Sequence, residues 1–134
     1  MHIIVNPAKC VGCRLCELAC SFIKTGKFNP KVSRIRIVTS YPALIDYPVV
    51  CIQCESSPCI NVCPMGALNK DKKTGAIILD EEKCTGCKLC AMECPYSAIN
   101  FNEKIKKPII CDLCGGEPEC VKWCYFDAIK LDNK

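Results

Sequence analysis

The sequence predicts an α+β chain of two small modules, one inserted in the other and related by an approximate two-fold axis. Three observations predict it. First, all 16 cysteines of the 134 residues fall into four tight groups. These are Cys10, Cys13, Cys16 and Cys20; Cys51, Cys54, Cys59 and Cys63; Cys84, Cys87, Cys90 and Cys94; Cys111, Cys114, Cys120 and Cys124. Second, short apolar, β-favouring segments recur beside the groups, too short for a large sheet and alternating with compact helical runs. Third, residues 51–101 hold two complete groups around AIILDEEK and close on PYSAINF. The flanking pieces, 1–50 and 102–134, carry one group each and must meet across that insertion to form a second unit of the same kind.

The elements follow in order. Ile3 to Val5 reads as a strand, and Cys13 to Phe22 as a short helix whose Leu15, Leu18 and Ala19 turn inward. Residues 23–50 form a long connection, with Ile35 to Val38 as a further strand. Pro64 and Pro95 each stop a turn directly after a cysteine. Asp71 to Gly75 is a polar turn leading into a strand from Ala76 to Leu79. Cys87 to Cys94 is a second short helix with Leu89, Ala91 and Met92 on its apolar side. Ala98 to Phe101 and Ala128 to Leu131 complete the strands. Residues 102–110 read as a crossover between modules, with Lys104, Lys106 and Lys107 solvated. Gly115, Gly116 and Pro118 mark a tight turn.

Composition narrows the class. So many cysteines mean either a disulfide framework or metal binding. The N-terminus lacks a basic region followed by a long apolar stretch, and no apolar run is long enough to cross a bilayer. The expectation is a cytoplasmic protein without membrane insertion, in a reducing compartment where dense cysteines bind metal. The formal charge is +4, with all but three of the 18 basic residues lysine. Metal clusters held by thiolates carry negative charge of their own, so the positive count is no argument for nucleic-acid binding. Cross-linking through metal also replaces much of an apolar core and couples folding to metal binding.

The third group, CTGCKLCAMECP, matches the bacterial run in which three cysteines hold one [4Fe-4S] cluster and the fourth reaches a neighbouring one. Four ligands per cluster make the sixteen cysteines sufficient for four [4Fe-4S] clusters. Exchange of last ligands between the inner groups assigns Cys51, Cys54, Cys59 and Cys94 to cluster C, and Cys63, Cys84, Cys87 and Cys90 to cluster D. Both inner groups end in Cys-Pro. Neither outer group does, which pairs outer with outer: Cys10, Cys13, Cys16 and Cys124 for cluster A; Cys20, Cys111, Cys114 and Cys120 for cluster B. Gly12 and Gly86 allow the backbone to approach sulfur closely. Zinc is the main alternative. It is disfavoured because the groups are compact runs rather than separated pairs and because the sole histidine, His2, lies outside them.

With these motifs in view, the chain resembles the four-cluster ferredoxin-like electron-transfer subunits of molybdopterin and tungstopterin oxidoreductases, the dimethyl-sulfoxide reductase iron–sulfur subunit family. Polysulfide reductase and formate dehydrogenase have subunits of this kind. The small size is similar to that of the partner of tungsten aldehyde oxidoreductases. The resemblance spans residues 2–131 and rests on CVGCRLCELAC, CIQCESSPCINVCP, CTGCKLCAMECP and CDLCGGEPECVKWC. It implies two 2[4Fe-4S] modules with the ligand exchange given above. It also implies electron transfer between the active-site subunit of a soluble tungsten- or molybdenum-dependent oxidoreductase and an external ferredoxin or a flavin- or NAD-linked subunit. Alternatives are a free polyferredoxin and an iron–sulfur assembly or redox-sensing module. No catalytic residue is expected: no nucleophile pairs with histidine, no phosphate loop is present, and Asp80, Glu81, Glu82 and Glu93 read as surface carboxylates. Trp123 and Tyr125 beside Cys124 read as ordinary aromatic packing rather than a specific electron path, and Phe22 reads as a cover for the cluster served by Cys20.

Overall fold

The computed structural model describes residues 1–132. It is a small mixed chain of four helices and four two-stranded antiparallel sheets. In chain order the described elements are β1 (His2–Val5), α1 (Leu15–Thr25), β2 (Arg36–Ser40), β3 (Ile45–Val49), α2 (Pro58–Val62), β4 (Leu68–Lys70), β5 (Ile77–Leu79), α3 (Leu89–Glu93), β6 (Asn100–Asn102), β7 (Lys107–Ile109), α4 (Glu119–Trp123) and β8 (Ile129–Asp132). Short 3-10 turns cover Pro7–Lys9, Pro30–Val32 and Leu113–Gly116.

The two ends of the chain meet. β1 pairs antiparallel with β8, His2 opposite Asp132 and Val5 opposite Ile129, and α1 packs against α4. Inside this frame α2 packs against α3. Three local hairpins complete the strands: β2 with β3, β4 with β5, and β6 with β7. The buried set joins Ile3, Ile35, Leu68, Ile77, Leu113 and Ile129 to buried cysteines in one cluster.

Local chemistry explains most elements. After its last cysteine, each of three groups makes the same turn, with Gly66, Ser97 and Asp127 at positive φ followed by the buried Ala67, Ala98 and Ala128. The first group departs from this. α1 runs on past Cys20 to Thr25 and ends at Gly26 with φ 75°. Ser21 follows its last cysteine, where Pro64 and Pro95 stop the second and third groups, although the fourth group turns with Tyr125 in that place.

The differences from the sequence reading are confined. Residues 102–110 are not a simple crossover, since β7 occupies their end and folds back on β6. The pattern KKPI hides this strand, because Pro108 takes a position that a strand of a two-stranded sheet tolerates. β3, β4, α2 and α4 are likewise too short to announce themselves by periodicity. Phe22 does not cover Cys20; it stacks on Phe28 with ring centroids 4.8 Å apart. Tyr125 is 81% exposed and packs on little.

Candidate metal centres

Twelve of the sixteen thiols line three small hollows. One is lined by Cys10, Cys13, Cys16 and Cys124. A second is lined by Cys63, Cys84, Cys87 and Cys90. A third is lined by Cys20, Cys111, Cys114 and Cys120. The remaining four are neighbours too: the Cys51 thiol feels those of Cys59, Cys54 and Cys94, and Cys59 feels Cys94 and Cys54.

Two features of the backbone make such sites. The residue before the second cysteine of every group has positive φ: Gly12 at 71°, Gln53 at 56°, Gly86 at 76° and Leu113 at 58°. That turn directs successive N–H groups inward, and several end on sulfur. Gln53 N donates to Cys51 Sγ at 3.4 Å and Leu113 N to Cys111 Sγ at 3.4 Å. Ala67 N and Ala98 N reach Cys63 and Cys94 at 3.4 and 3.5 Å. Cys20, inside a helix, cannot use that turn and takes its N–H from Arg34 at 3.2 Å instead.

Burial dominates the electrostatics. It pushes the thiols of Cys16, Cys51 and Cys111 up to about 12 and Cys90 up to about 11, with neighbouring negative charges adding to the rise. Cys120 is driven in the same direction. Cys63 is the exception: slight burial pushes it up but is outweighed by the N–H groups of Ala67, Met65, Leu68 and Gly66, which draw it below its ordinary value. Thiols held this close repel as thiolates, so they stay protonated until a cationic centre takes the place of the protons.

Thiols of different sets also lie within electrostatic reach: Cys120 feels Cys16, Cys111 feels Cys51, and Cys90 feels Cys59. The exposed cysteines are Cys13 and Cys87.

Several residues around the sites carry no sequence signal of their own. Glu17, 3% exposed, accepts from Ile37 N at 2.6 Å and pairs with Arg14 at 3.1 Å, tying α1 to β2. Arg34 lines the hollow of Cys20, Cys111, Cys114 and Cys120, and its buried Nε has no hydrogen-bond partner. Lys24 lines it too and pairs with Asp112 at 2.5 Å. The Arg34 guanidinium, held by NH1 to the Val32 carbonyl at 3.2 Å, leaves Nε free beside four thiols, which fits an occupant of net negative charge. The donor set of four thiols per hollow, with N–H groups turned toward sulfur, suits an iron–sulfur cubane.

A family profile described as a 4Fe-4S dicluster domain matches residues 43–134, and one described as a 4Fe-4S binding domain matches residues 7–25. This chain belongs to the 4Fe-4S dicluster family. As a member it binds [4Fe-4S] clusters through its cysteines. Its relatives include the polyferredoxin-like subunit of an aliphatic sulfonate oxidoreductase from Pyrococcus furiosus, 44% identical over 96% of this chain and 76% of that protein. The electron transport protein HydN of Escherichia coli is 34% identical over 95% of this chain and 85% of that one. Among solved structures, the active-site complex BamBC of benzoyl coenzyme A reductase contains a chain that superposes with a TM-score of 0.56. It is 27% identical and covers 96% of this chain and 76% of its own. Among the described residues no helix is long and apolar enough to cross a membrane.

Proposed function

We propose that this 4Fe-4S dicluster protein is the electron-transfer subunit of an oxidoreductase complex and carries four clusters in single file. The ligand sets are Cys10, Cys13, Cys16 and Cys124 for A; Cys20, Cys111, Cys114 and Cys120 for B; Cys51, Cys54, Cys59 and Cys94 for C; Cys63, Cys84, Cys87 and Cys90 for D. Sets A and B belong to an outer module, residues 1–50 with 102–134, and C and D to an inner one, residues 51–101. The observation that supports this reading is the grouping of thiols around separate hollows, with charge felt between neighbouring sets in the order A, B, C, D. Cys13 and Cys87, the exposed thiols, belong to the two terminal sets and mark where electrons enter and leave.

When bound, the clusters supply one-electron redox centres. The chain's own residues hold them by thiolate, soften the added charge with N–H donors, and exclude water from sets B and C. The partner at one end is a catalytic subunit of the tungsten- or molybdenum-pterin class, such as an aldehyde oxidoreductase. At the other it is a ferredoxin or a flavin- or NAD-linked subunit. Support comes from the relative that is itself a subunit of a sulfonate oxidoreductase and from the structural likeness within a reductase active-site complex.

Two experiments test this. Cys94→Ser should first damage the cluster held by Cys51, Cys54 and Cys59, seen by iron quantification and low-temperature electron paramagnetic resonance. Selective loss at Cys84, Cys87 and Cys90 instead would overturn the assignment. Gentle anaerobic purification with metal analysis should recover the chain with a tungsten- or molybdenum-containing partner. A strictly monomeric carrier would point to a free polyferredoxin.

A further inference from the structure

Gln53 stands where two of the four groups have glycine. Its φ of 56° is left-handed, a conformation unfavourable for a residue bearing a side chain. It is 7% exposed, and both ends of its amide are engaged. Nε2 donates to the carbonyl of Cys111 at 2.8 Å, and Oε1 accepts from Ile77 N at 2.8 Å. Its own N–H points at Cys51 Sγ. One buried side chain thus ties three pieces together: the loop of the second group, strand β5 beside it, and the loop of the fourth group, 58 residues away. The thiols of Cys51 and Cys111, at the ends of this strap, are the pair through which the second and fourth groups feel each other. A buried residue held in a sparsely populated conformation, with its backbone N–H and both amide heavy atoms engaged, points to a role at that place.

We infer that Gln53 is a positioning residue for electron crossing between the two modules, its amide clamping the Cys111 loop against the Cys51 loop. This rests on the proposed ligand sets B and C. One electron crosses at a time, oxidising one side and reducing the other by one, with no bond made or broken. The clamp fixes the separation and the backbone dipoles between donor and acceptor. Leu113, at the matching place in the fourth group, is fully buried but apolar, and so cannot perform this task from the other side.

The test uses full-length, cluster-loaded Gln53→Leu and Gln53→Gly. Leucine keeps bulk but strands the Cys111 carbonyl and the Ile77 N–H. Glycine removes the clamp while relieving the left-handed strain, so it guards against a folding failure. Hydrogen exchange at the Ile77 amide should quicken about tenfold in both, the worth of one lost hydrogen bond. Electron redistribution between modules after flash reduction should slow about tenfold in both, the scale of lost outer-shell support. The magnetic coupling between the two central clusters should weaken with iron content unchanged. Wild-type redistribution and coupling in the glycine variant would overturn the inference, as would loss of iron from both variants, which would make Gln53 a folding residue alone. If instead the ligand sets are wrong, the wild-type protein itself will lack the central coupling.

Discussion

Replacing Gly86 with alanine isolates the effect of the close approach at the third group. Gly86 has φ 76°, and an added Cβ would lie 2.5 Å from the Lys106 carbonyl oxygen and 3.3 Å from its Cβ. The obstruction is backbone, in the turn joining β6 to β7. That turn is held on both sides: Lys107 Nζ donates to the carbonyls of Cys84 and Glu81, and Lys88 pairs with Glu103 at 2.9 Å. The left-handed conformation costs alanine about 1–2 kcal/mol, and forcing the turn aside adds about 1–3 kcal/mol. Gly115→Ala is the control, with φ 74° and no atom within 4 Å of the added carbon, so only the first cost applies. Gly12→Ala lies between, because its Cβ would meet the Asp46 carboxylate at 2.6 Å, the movable tip of a side chain. Gly86→Ala should therefore raise the opening of its CTGCK loop about 5–150-fold more than Gly115→Ala raises that of the CDLCGG loop. The assay is anaerobic loss of visible absorbance after addition of an iron chelator, in mild denaturant. Equal rates for the two variants would refute the reasoning and show that the β6–β7 turn yields freely.

Two further outcomes follow from the charges. Arg34→Gln removes a cation from beside Cys20, so the cluster held there should become harder to reduce while the others keep their potentials; a redox titration monitored by electron paramagnetic resonance checks this, and an unchanged or raised potential would sink it. Thiols pushed up to about 11 or 12 by burial keep their protons at neutral pH, so cluster loading should release about four protons per cluster, measured in weakly buffered solution. The sign is fixed: a raised thiol value stabilises the metal-free fold below the ordinary value of 9.0 and that contribution fades as pH rises toward 12. Loading should accordingly improve with rising pH, and release of far fewer protons would mean the thiols were already ionised.

The cysteine spacing made legible which thiols line the three hollows, because compact runs leave few ways to bring four sulfurs together. The strands at Ile3 and Ile129 were equally visible as short apolar runs beside the first and last groups. What stayed hidden was held by contacts between distant residues. Glu17 looks like a surface carboxylate on a helix until Ile37 and Arg14 close over it. Gln53 looks like a spacer in CIQC until Cys111 and Ile77 supply partners. Arg34 sits in a long connection whose path no local pattern fixes. The strand at Lys107 was masked by its charge and its proline, and was made by pairing with Asn102.

The pairing of β1 with β8 sets a timetable for synthesis. His2 leaves the ribosome long before Asp132, its opposite number, exists. A nascent chain therefore exposes its first strand, and the cysteines of its first helix, while the local hairpins β2–β3, β4–β5 and β6–β7 are completed ahead of them. The first segment must wait, shielded or not, until β8 has been made. A product truncated before β8 would carry closed hairpins beside an open first strand and a first helix whose cysteines are left to oxidise.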